Sequence, residues 1–423
     1  MSIDPTLLDD LEWRGLIAHS TDRDALQAAL SAGSVRFYVG FDPTAPSLHM
    51  GNLLQITMAR RLQDAGHTPY LLVGGATGMI GDPRDSGERT LNTLETVTEW
   101  TARVRRQLQP FLSFDGDNAA TMVNNYDWTE QMSVIEFLRE IGKHFPVNRM
   151  LARDTVKRRL ESGISYTEFS YVLLQSMDFL SLHREHGVTL QFGGSDQWGN
   201  ITGGAELIRR STGTSVHAFA TPLVTKADGT KYGKTEGGAL WLDPEMMSPY
   251  AFHQFWLNVE DEKIGELLRL FSFLSRAEIE ALEQRHAEKP FLREAQKSLA
   301  DAVTTFVHGA DETEQAKAAA AALFGGGDLF TLSPETLSAA LREAGATTVS
   351  RTDAMPSIGD LFVATGLVKS KGEARRTVSE GGAYVNNQRV EDCDAPLAES
   401  DLIGGSWLVL RRGKKHFAGV EVR

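Results

Sequence analysis

Cys393 is the single cysteine in 423 residues, so neither a disulfide framework nor a cysteine-based metal site is available to this chain. Such thiol poverty fits a reducing cytosol. No stretch approaches the ~20 apolar residues that a membrane-crossing helix needs. The opening Met-Ser-Ile-Asp-Pro has neither the basic start nor the apolar core of a secretory signal. A cytoplasmic protein without a membrane part is therefore expected. There is no Gly-x-x-x-x-Gly-Lys-Ser/Thr, which excludes a P-loop, and no glycine fingerprint of a dehydrogenase after the first strand. Internal repeats are absent. Positive charge is in deficit, with 43 Lys+Arg against 56 Asp+Glu and a formal net charge of −13, so non-specific coating of nucleic acid is not expected. The deficit is uneven. From Arg351 onward the balance is 11 basic to 10 acidic residues, a net of +1, while the first 350 residues carry −14. The tail is the better place for a polyanion.

What is present begins with residues 37–53. Residues 35–39 alternate and are aromatic-rich, as in a strand. Pro43 and Pro46 then forbid a regular element, and Leu54, Met58 and Leu62 mark a helix over 51–65, ended by Gly66. The loop between carries Asp42, Thr44 and His49. Unpaired N–H groups at the helix start attract anions, and an imidazole above them can donate to a phosphate oxygen.

The same strand–helix–strand pattern continues for some 190 residues. Strands are expected at 67–73, 121–125, 188–192 and 219–224, and helices at 94–112, 134–160 (largely), 169–182 and up to 210. That alternation predicts an α/β fold with a doubly wound parallel sheet, Rossmann-like, whose ligands bind at the carboxyl ends of the strands. Polar loops fall at three such ends: 74–82, 193–197 and 225–235. After Asp243 amphipathic helices replace the strands, as at 249–257 and 264–273. Ala318–Ala322 and Gly325–Gly327 read as a hinge, a short helix covers 333–344, and a compact α+β module starts near Ser357. The expected division is 1–235 for the Rossmann-like domain, 236–325 helical, 326–354 a linker and 355–423 the terminal module.

His49 with the helix start makes one phosphate site, and Lys231 and Lys234 bring two cations from another strand end. Transfer of a nucleotidyl group needs such parts: a carboxylate attacks the α-phosphorus of ATP, and the protein positions the groups and neutralises growing charge. Each glycine cluster taken alone is weak evidence, since tight turns after strands use glycine routinely. Likewise Tyr171, Gln175 and Asp178 share a helix face that could simply be solvated.

His49-Met-Gly-Asn52 paired with Lys231-Tyr-Gly-Lys-Thr235 resembles the HIGH and KMSKS signatures of class I aminoacyl-tRNA synthetases. Residues 38–51, 72–83, 164–175, 193–200 and 223–235 are similar to the bacterial tyrosyl-tRNA synthetase family, and the similarity runs through nearly the whole chain. It implies a tyrosine–tRNA ligase that makes tyrosyl-adenylate and pyrophosphate, then charges tRNA-Tyr. Tyr38 and Asp178 would hydrogen-bond the substrate phenol. Asp82, Tyr171 and Gln175 would hold its α-ammonium, with Gln197 near its carboxylate. Gly40, Asp42, Gly194 and Asp196 would contact the adenylate. His49, Gly51, Asn52 and Thr44 would meet the ATP phosphates, and Lys231, Lys234 and Arg89 would close over pyrophosphate. Mg²⁺ would arrive with ATP, and no protein metal site is expected.

The chain departs from the family at Asn52, which stands where the signature has a second histidine, and at Pro83-Arg-Asp-Ser-Gly87, where Arg84 is the only cation. The tail from Ser357 resembles the αL-type RNA-binding motif of a ribosomal protein, with Lys371, Arg375 and Arg376 on one helical stretch facing RNA. Cutting at Gly327 should then spare adenylate formation and cripple charging. The resemblance also implies a homodimer formed through about 126–185, including Phe145 and Tyr166, which look exposed. Two alternatives stand beside this reading. A tryptophanyl-tRNA synthetase is opposed by Tyr38 and Asp178, two phenol partners where an indole needs one. A non-catalytic RNA-binding factor derived from a synthetase is opposed by intact His49, Asp82, Asp178, Lys231 and Lys234.

Overall fold

Aromatic and apolar side chains buried on both faces put β2 (Arg36–Phe41) and β3 (Thr68–Val73) in the interior of a six-stranded sheet. β1 (His19–Ser20), β4 (Thr121–Asn124), β5 (Leu190–Gly194) and β6 (His217–Thr221) complete it, in the spatial order β1-β6-β5-β2-β3-β4. Every pairing is parallel except that of β1 with β6. β1 is two residues long and was not expected; it exists only because β6 offers an edge. From β2 the chain winds outward through β3 and β4, then returns to start β5 on the other side of β2. That reversal opens a crevice between the loops after β2 and β5, the usual ligand position in such sheets.

The computed structural model describes residues 3–423 except 84–86, 88–89, 228, 231, 233, 236–237, 326, 351–355 and 414–415. The chain forms two compact units, Met1–Met246 with Glu260–Glu288, and Met247–Val259 with Lys289–Arg423. In the first unit, buried Arg14 and Arg61 grip the Glu260–Glu288 portion: Arg14 Nη2 donates to the Leu274 carbonyl at 2.8 Å, and Arg61 Nη2 donates to that of Ser272.

Segment 134–160 is less regular than expected. A single helical turn (Val134–Glu136) runs into a π-helical stretch (Phe137–Ile141) and a 3-10 turn (Gly142–His144). Two short helices follow, Val147–Leu151 and Asp154–Arg159. Pro146 explains the break, because a proline forces the preceding Phe145 out of the helical region, here to φ −109° and ψ 92°. Phe145 is also half-buried against the core, not exposed as expected, whereas Tyr166 is 69% exposed. The next helix, Tyr166–His186, is capped by Ser165 and stopped by left-handed Gly187.

In the second unit Pro249–Leu257 packs on the helices Glu294–His308, Ala310–Gly325 and Pro334–Glu343. The alanine run expected as a hinge is a continuous helix whose Ala316, Ala319 and Ala322 are buried together with Leu323, Leu337, Leu341 and Trp407. Segment 326–354 thus holds core leucines. Its strand Thr347–Val349 forms the edge of a five-stranded sheet with Gln388–Arg389, Ala383–Val385, Trp407–Arg412 and His416–Val422. Among the described residues no helix is long and apolar enough to cross a membrane.

Candidate active site

The carboxyl ends of β2, β3, β4 and β5 bring together most of the expected polar residues. Two hydrogen-bonded groups result. The first joins Asp42, past the end of β2, to Thr77 and Tyr171: Thr77 Oγ1 donates to Asp42 Oδ1 at 2.6 Å, and the Tyr171 hydroxyl donates to Oδ2 at 2.7 Å. Asn125 extends the chain of bonds. Its Nδ2 donates to Thr77 Oγ1 at 2.9 Å and to Asp178 Oδ2 at 3.0 Å, while its own Oδ1 is fixed by the Ala76 N–H at 2.7 Å. Trp128 Nε1 takes the other oxygen of Asp178 at 2.9 Å. Gly74 is required here, since a Cβ on it would stand 2.0 Å from Asp42 Oδ1 and 2.3 Å from Thr77 Oγ1.

Burial dominates the electrostatics of this group. It pushes the Asp178 carboxyl up to about 7, against the two donated hydrogen bonds that favour the ion. Burial, reinforced by the Asp178 charge, also lifts Tyr38 well above its ordinary value, and burial next to Asp42 does the same for Tyr171. Both phenols are therefore neutral donors at any physiological pH. Tyr171 spends its proton on Asp42. The Tyr38 hydroxyl, 1% exposed as a residue, has no hydrogen-bond partner among the described residues, and neither has Gln175 Oε1. A buried polar atom left unpaired costs about 1–3 kcal/mol, which a ligand group can recover.

The second group surrounds Asp82. Gln197 Nε2 donates to its Oδ2 at 2.7 Å, and Asn200 Nδ2 donates to its Oδ1 at 3.1 Å and to Gln197 Oε1 at 2.9 Å. Arg153 Nη2 in turn donates to Asn200 Oδ1 at 2.6 Å. Burial moves Asp82 up to about 6 even so. Gln197, expected beside the substrate carboxylate, has its amide nitrogen committed to Asp82.

His49 caps the Met50–Asp64 helix. Its Nδ1 accepts from the Gly51 N–H at 3.0 Å, and the His49 N–H is held by Asn52 Oδ1 at 3.0 Å. Accepting at Nδ1 places the ring proton of a neutral imidazole on Nε2, as a donor. Asn52 is thereby explained: its oxygen closes the capping box and its amide N–H groups remain donors. Gly51 is required, since a Cβ there would lie 2.9 Å from the His49 ring. Thr44 is exposed, its N–H bonded to the Asp42 carbonyl at 2.8 Å. Gly40 sits on β2 with Leu72 the nearest atom to a notional Cβ at 3.8 Å, and Asp196 is exposed beyond Gly194. Arg84, Arg89, Lys231 and Gly233 lie outside the described residues, and of Lys234 only the backbone is described, in a two-residue strand paired with Gly238–Ala239. The base of that loop is held by Glu260, whose carboxylate accepts from the Ala227 N–H at 2.9 Å.

In the second unit Lys371, Arg375 and Arg376 lie on the helix Lys371–Ser379 and are all exposed. Each faces an acid: Lys371 Nζ lies 2.6 Å from Asp360, Arg375 3.1 Å from Asp394 and Arg376 2.9 Å from Glu380.

Thr77, Asn125, Trp128, Arg153 and Asn200 were not singled out from the sequence. Asn125 had a signal, a polar residue at the carboxyl end of β4 in a sheet whose other strand ends carry the site. Arg153 had none, because it comes from an irregular segment far away in sequence.

Residues 30–325 match the family described as tRNA synthetases class I (W and Y), and residues 339–420 match the tyrosine–tRNA ligase SYY-like C-terminal domain. A tyrosine–tRNA ligase of Streptomyces coelicolor is 61% identical over 98% of this chain and 99% of its own length. That of Kineococcus radiotolerans is 58% identical over 98% of each chain. Among solved structures, a C-terminally truncated mitochondrial tyrosyl-tRNA synthetase of Aspergillus nidulans aligns with a TM-score of 0.66 and 30% identity, over 73% of this chain and 92% of that one.

Proposed function

From the premise that this chain belongs to the class I tRNA synthetases, and within them to the tyrosine–tRNA ligases, we propose an assignment of its residues to the steps of tyrosine activation. The enzyme joins tyrosine to AMP at the expense of ATP and passes the acyl group to tRNA; the tryptophan branch and a non-catalytic factor are set aside by the relatives at 61% and 58% identity.

The observation that carries the assignment is that Tyr38 and Asp178 are both buried, with the Asp178 charge felt at the Tyr38 hydroxyl. Tyr38 offers an O–H without a partner among the described residues, and Asp178 offers carboxylate lone pairs. A substrate phenol can accept from the first and donate to the second. Phenylalanine would leave the Tyr38 hydroxyl unsatisfied and bring an apolar ring edge against the Asp178 carboxyl, and that is the source of discrimination. For the α-ammonium, three acceptors serve: the Asp82 carboxylate, the Tyr171 oxygen whose own proton is held by Asp42, and Gln175 Oε1. With the amino acid held at both ends, its carboxylate attacks the α-phosphorus, the bond to the bridging oxygen breaks, and pyrophosphate leaves with the electron pair. His49 Nε2–H, the Asn52 amide and Thr44 stabilise the charge that develops on the phosphates. Lys231, Lys234 and Arg89 are assigned to the departing pyrophosphate. Gly40, Gly51, Gly194, Asp42 and Asp196 would border the nucleotide, Asp42 also orienting Tyr171. A 3′-terminal ribose hydroxyl of tRNA then attacks the adenylate carbonyl and AMP departs.

Mg²⁺ is assigned to the ATP phosphates as part of the substrate, since their oxygens are the hard ligands it prefers. A homodimer is supported by the exposed apolar side chains of 126–185, among them Val134, Ile135, Val147 and Tyr166, each more than 60% exposed. The terminal helix Lys371–Ser379 is assigned to tRNA. A cytoplasmic location follows from the substrate.

The test is ATP–pyrophosphate exchange with tyrosine, phenylalanine and tryptophan in the absence of tRNA. Exchange with tyrosine alone is expected. Comparable exchange with phenylalanine would remove Tyr38 and Asp178 from the specificity role.

A further inference from the structure

Arg153 precedes the short Asp154–Arg159 helix, whose Val156 and Arg159 are buried, and its side chain lines the cleft beside Asp82 and Asn200. Its guanidinium lies over the first turn of the Trp198–Thr212 helix, where Gly199 leaves room: a Cβ on Gly199 would stand 2.6 Å from Nη2 and 3.3 Å from Cζ. From there Nη2 donates to Asn200 Oδ1 at 2.6 Å. Asn200 is 4% exposed, and a side-chain amide has two ways round. With its oxygen fixed on Arg153, it must turn Nδ2 toward Asp82 and Gln197, at 3.1 and 2.9 Å. Reversed, it would aim an oxygen at a carboxylate oxygen and lose both bonds. The guanidinium thus decides an orientation two bonds away from itself.

Its charge acts on the same carboxylate. Asp82 is faced by Asp42 from beyond β2, by Tyr171 on the Tyr166–His186 helix and by Arg153, with Gln197 and Asn200 donating directly. Asp196 and Glu168 line the same cleft, and Glu168 pairs with Arg159 at 3.1 Å. Burial and Asp42 favour the protonated acid, and Arg153 favours the ion.

We propose that Arg153 is a positioning residue for tyrosine activation, which orients Asn200 and thereby Asp82 and Gln197. The inference rests on the reading of Asp82 as the partner of the substrate ammonium. A planar fork suits the task, since it can lie flat on the helix start while one N–H points at the amide.

The experiment is tyrosine-dependent ATP–pyrophosphate exchange by the full chain, from about pH 5 to about pH 9, for the unaltered enzyme, Arg153→Met, Arg153→Lys and Asp82→Asn. Arg153→Met is expected to raise KM for tyrosine about tenfold near pH 6.5 and to displace the acid limb of kcat/KM upward by about one pH unit. KM for ATP should stay within about twofold, and the defect should shrink at high pH, where Asp82 ionises regardless. Arg153→Lys should restore the limb, because it restores the charge. A loss of equal size at every pH and on both substrates, or no loss, overturns the proposal. Asp82→Asn separates the two readings. If it raises KM for tyrosine while Arg153→Met does nothing, Asp82 keeps its role and Arg153 loses its own; if it leaves KM unchanged, both fall.

Discussion

The indole N–H of Trp128 donates to Oδ1 of Asp178 at 2.9 Å, from a short helix after β4 to the middle of the Tyr166–His186 helix. With Asn125 on the other oxygen, it lets a carboxyl group that burial pushes up to about 7 carry a charge in the interior. An acceptor for one phenolic proton is thus maintained by residues that need not touch the substrate.

Trp128→Phe keeps the ring and removes that donor. The Asp178 oxygen loses a hydrogen bond worth about 1–3 kcal/mol in a buried setting, and its proton is held to still higher pH. We expect KM for tyrosine to rise about tenfold or more while exchange with phenylalanine stays the same. Parallel changes for both amino acids would show that Trp128 contributes packing alone.

His49 has two duties that can be separated. His49→Ala removes the helix cap, at about 1 kcal/mol, together with the Nε2 donor, and should lower both melting temperature and exchange rate. His49→Asn preserves a good cap, so the melting temperature should hold while kcat for exchange falls about 10²–10³-fold. Calorimetry on the two variants beside the exchange rates checks this, and a fully active His49→Asn would assign the histidine to capping only.

The raised value of Asp178 has a stability consequence of definite sign. An unfolded aspartate loses its proton near 3.8, whereas the folded group keeps it to about 7. Between those values the native state binds more protons, so the contribution of this group to stability falls as pH rises from about 4 to about 7. Asp178→Asn cannot ionise. The melting temperature of the ligand-free enzyme relative to Asp178→Asn should therefore be most favourable near the acid end of that window and decline toward neutrality. A constant difference across the window would mean that Asp178 titrates at an ordinary value.

Replacing Lys371, Arg375 and Arg376 by alanine together breaks three exposed ion pairs, which solvent screening leaves with little effect on stability. The fold should persist and exchange should be unchanged. Affinity for tRNA should drop, and its dependence on log salt should flatten by about 0.7–0.9 per lost phosphate contact. An unaltered salt slope would move the RNA contact elsewhere. Cutting at Gly327 is a poorer test than the sequence suggested. It removes Leu329, Leu337, Leu341 and Trp407, which bury Tyr250, Ala316, Ala319 and Leu323, so charging would be lost through unfolding of the second unit as well.

Much of the site was legible because the elements that carry it are local. The β2 strand, the prolines after it and the helix behind His49 follow from a few adjacent residues, and the spacing of Tyr171, Gln175 and Asp178 follows from one helix. The break at Pro146 is written in the sequence too, but residues on either side keep a helical pattern that masks it. The alanine run misled for a different reason. Small side chains look like a flexible link in isolation, and they pack as a close helix contact only when Pro249–Leu257 lies against them.

The sequence by itself determined the class of chemistry, the parallel sheet and the residues at its strand ends, because hydrophobic period, turn chemistry and the two signature motifs are properties of short stretches. Only the tertiary structure decided what those residues do to one another. Asp42 orients Tyr171, Asn125 and Trp128 hold Asp178, and Arg153 reaches Asp82 through Asn200. These partners stand up to 129 positions apart in the chain. The charge on a buried carboxyl depends on how much water is excluded and on which dipoles replace it, and neither exists until the strands and helices have closed around it.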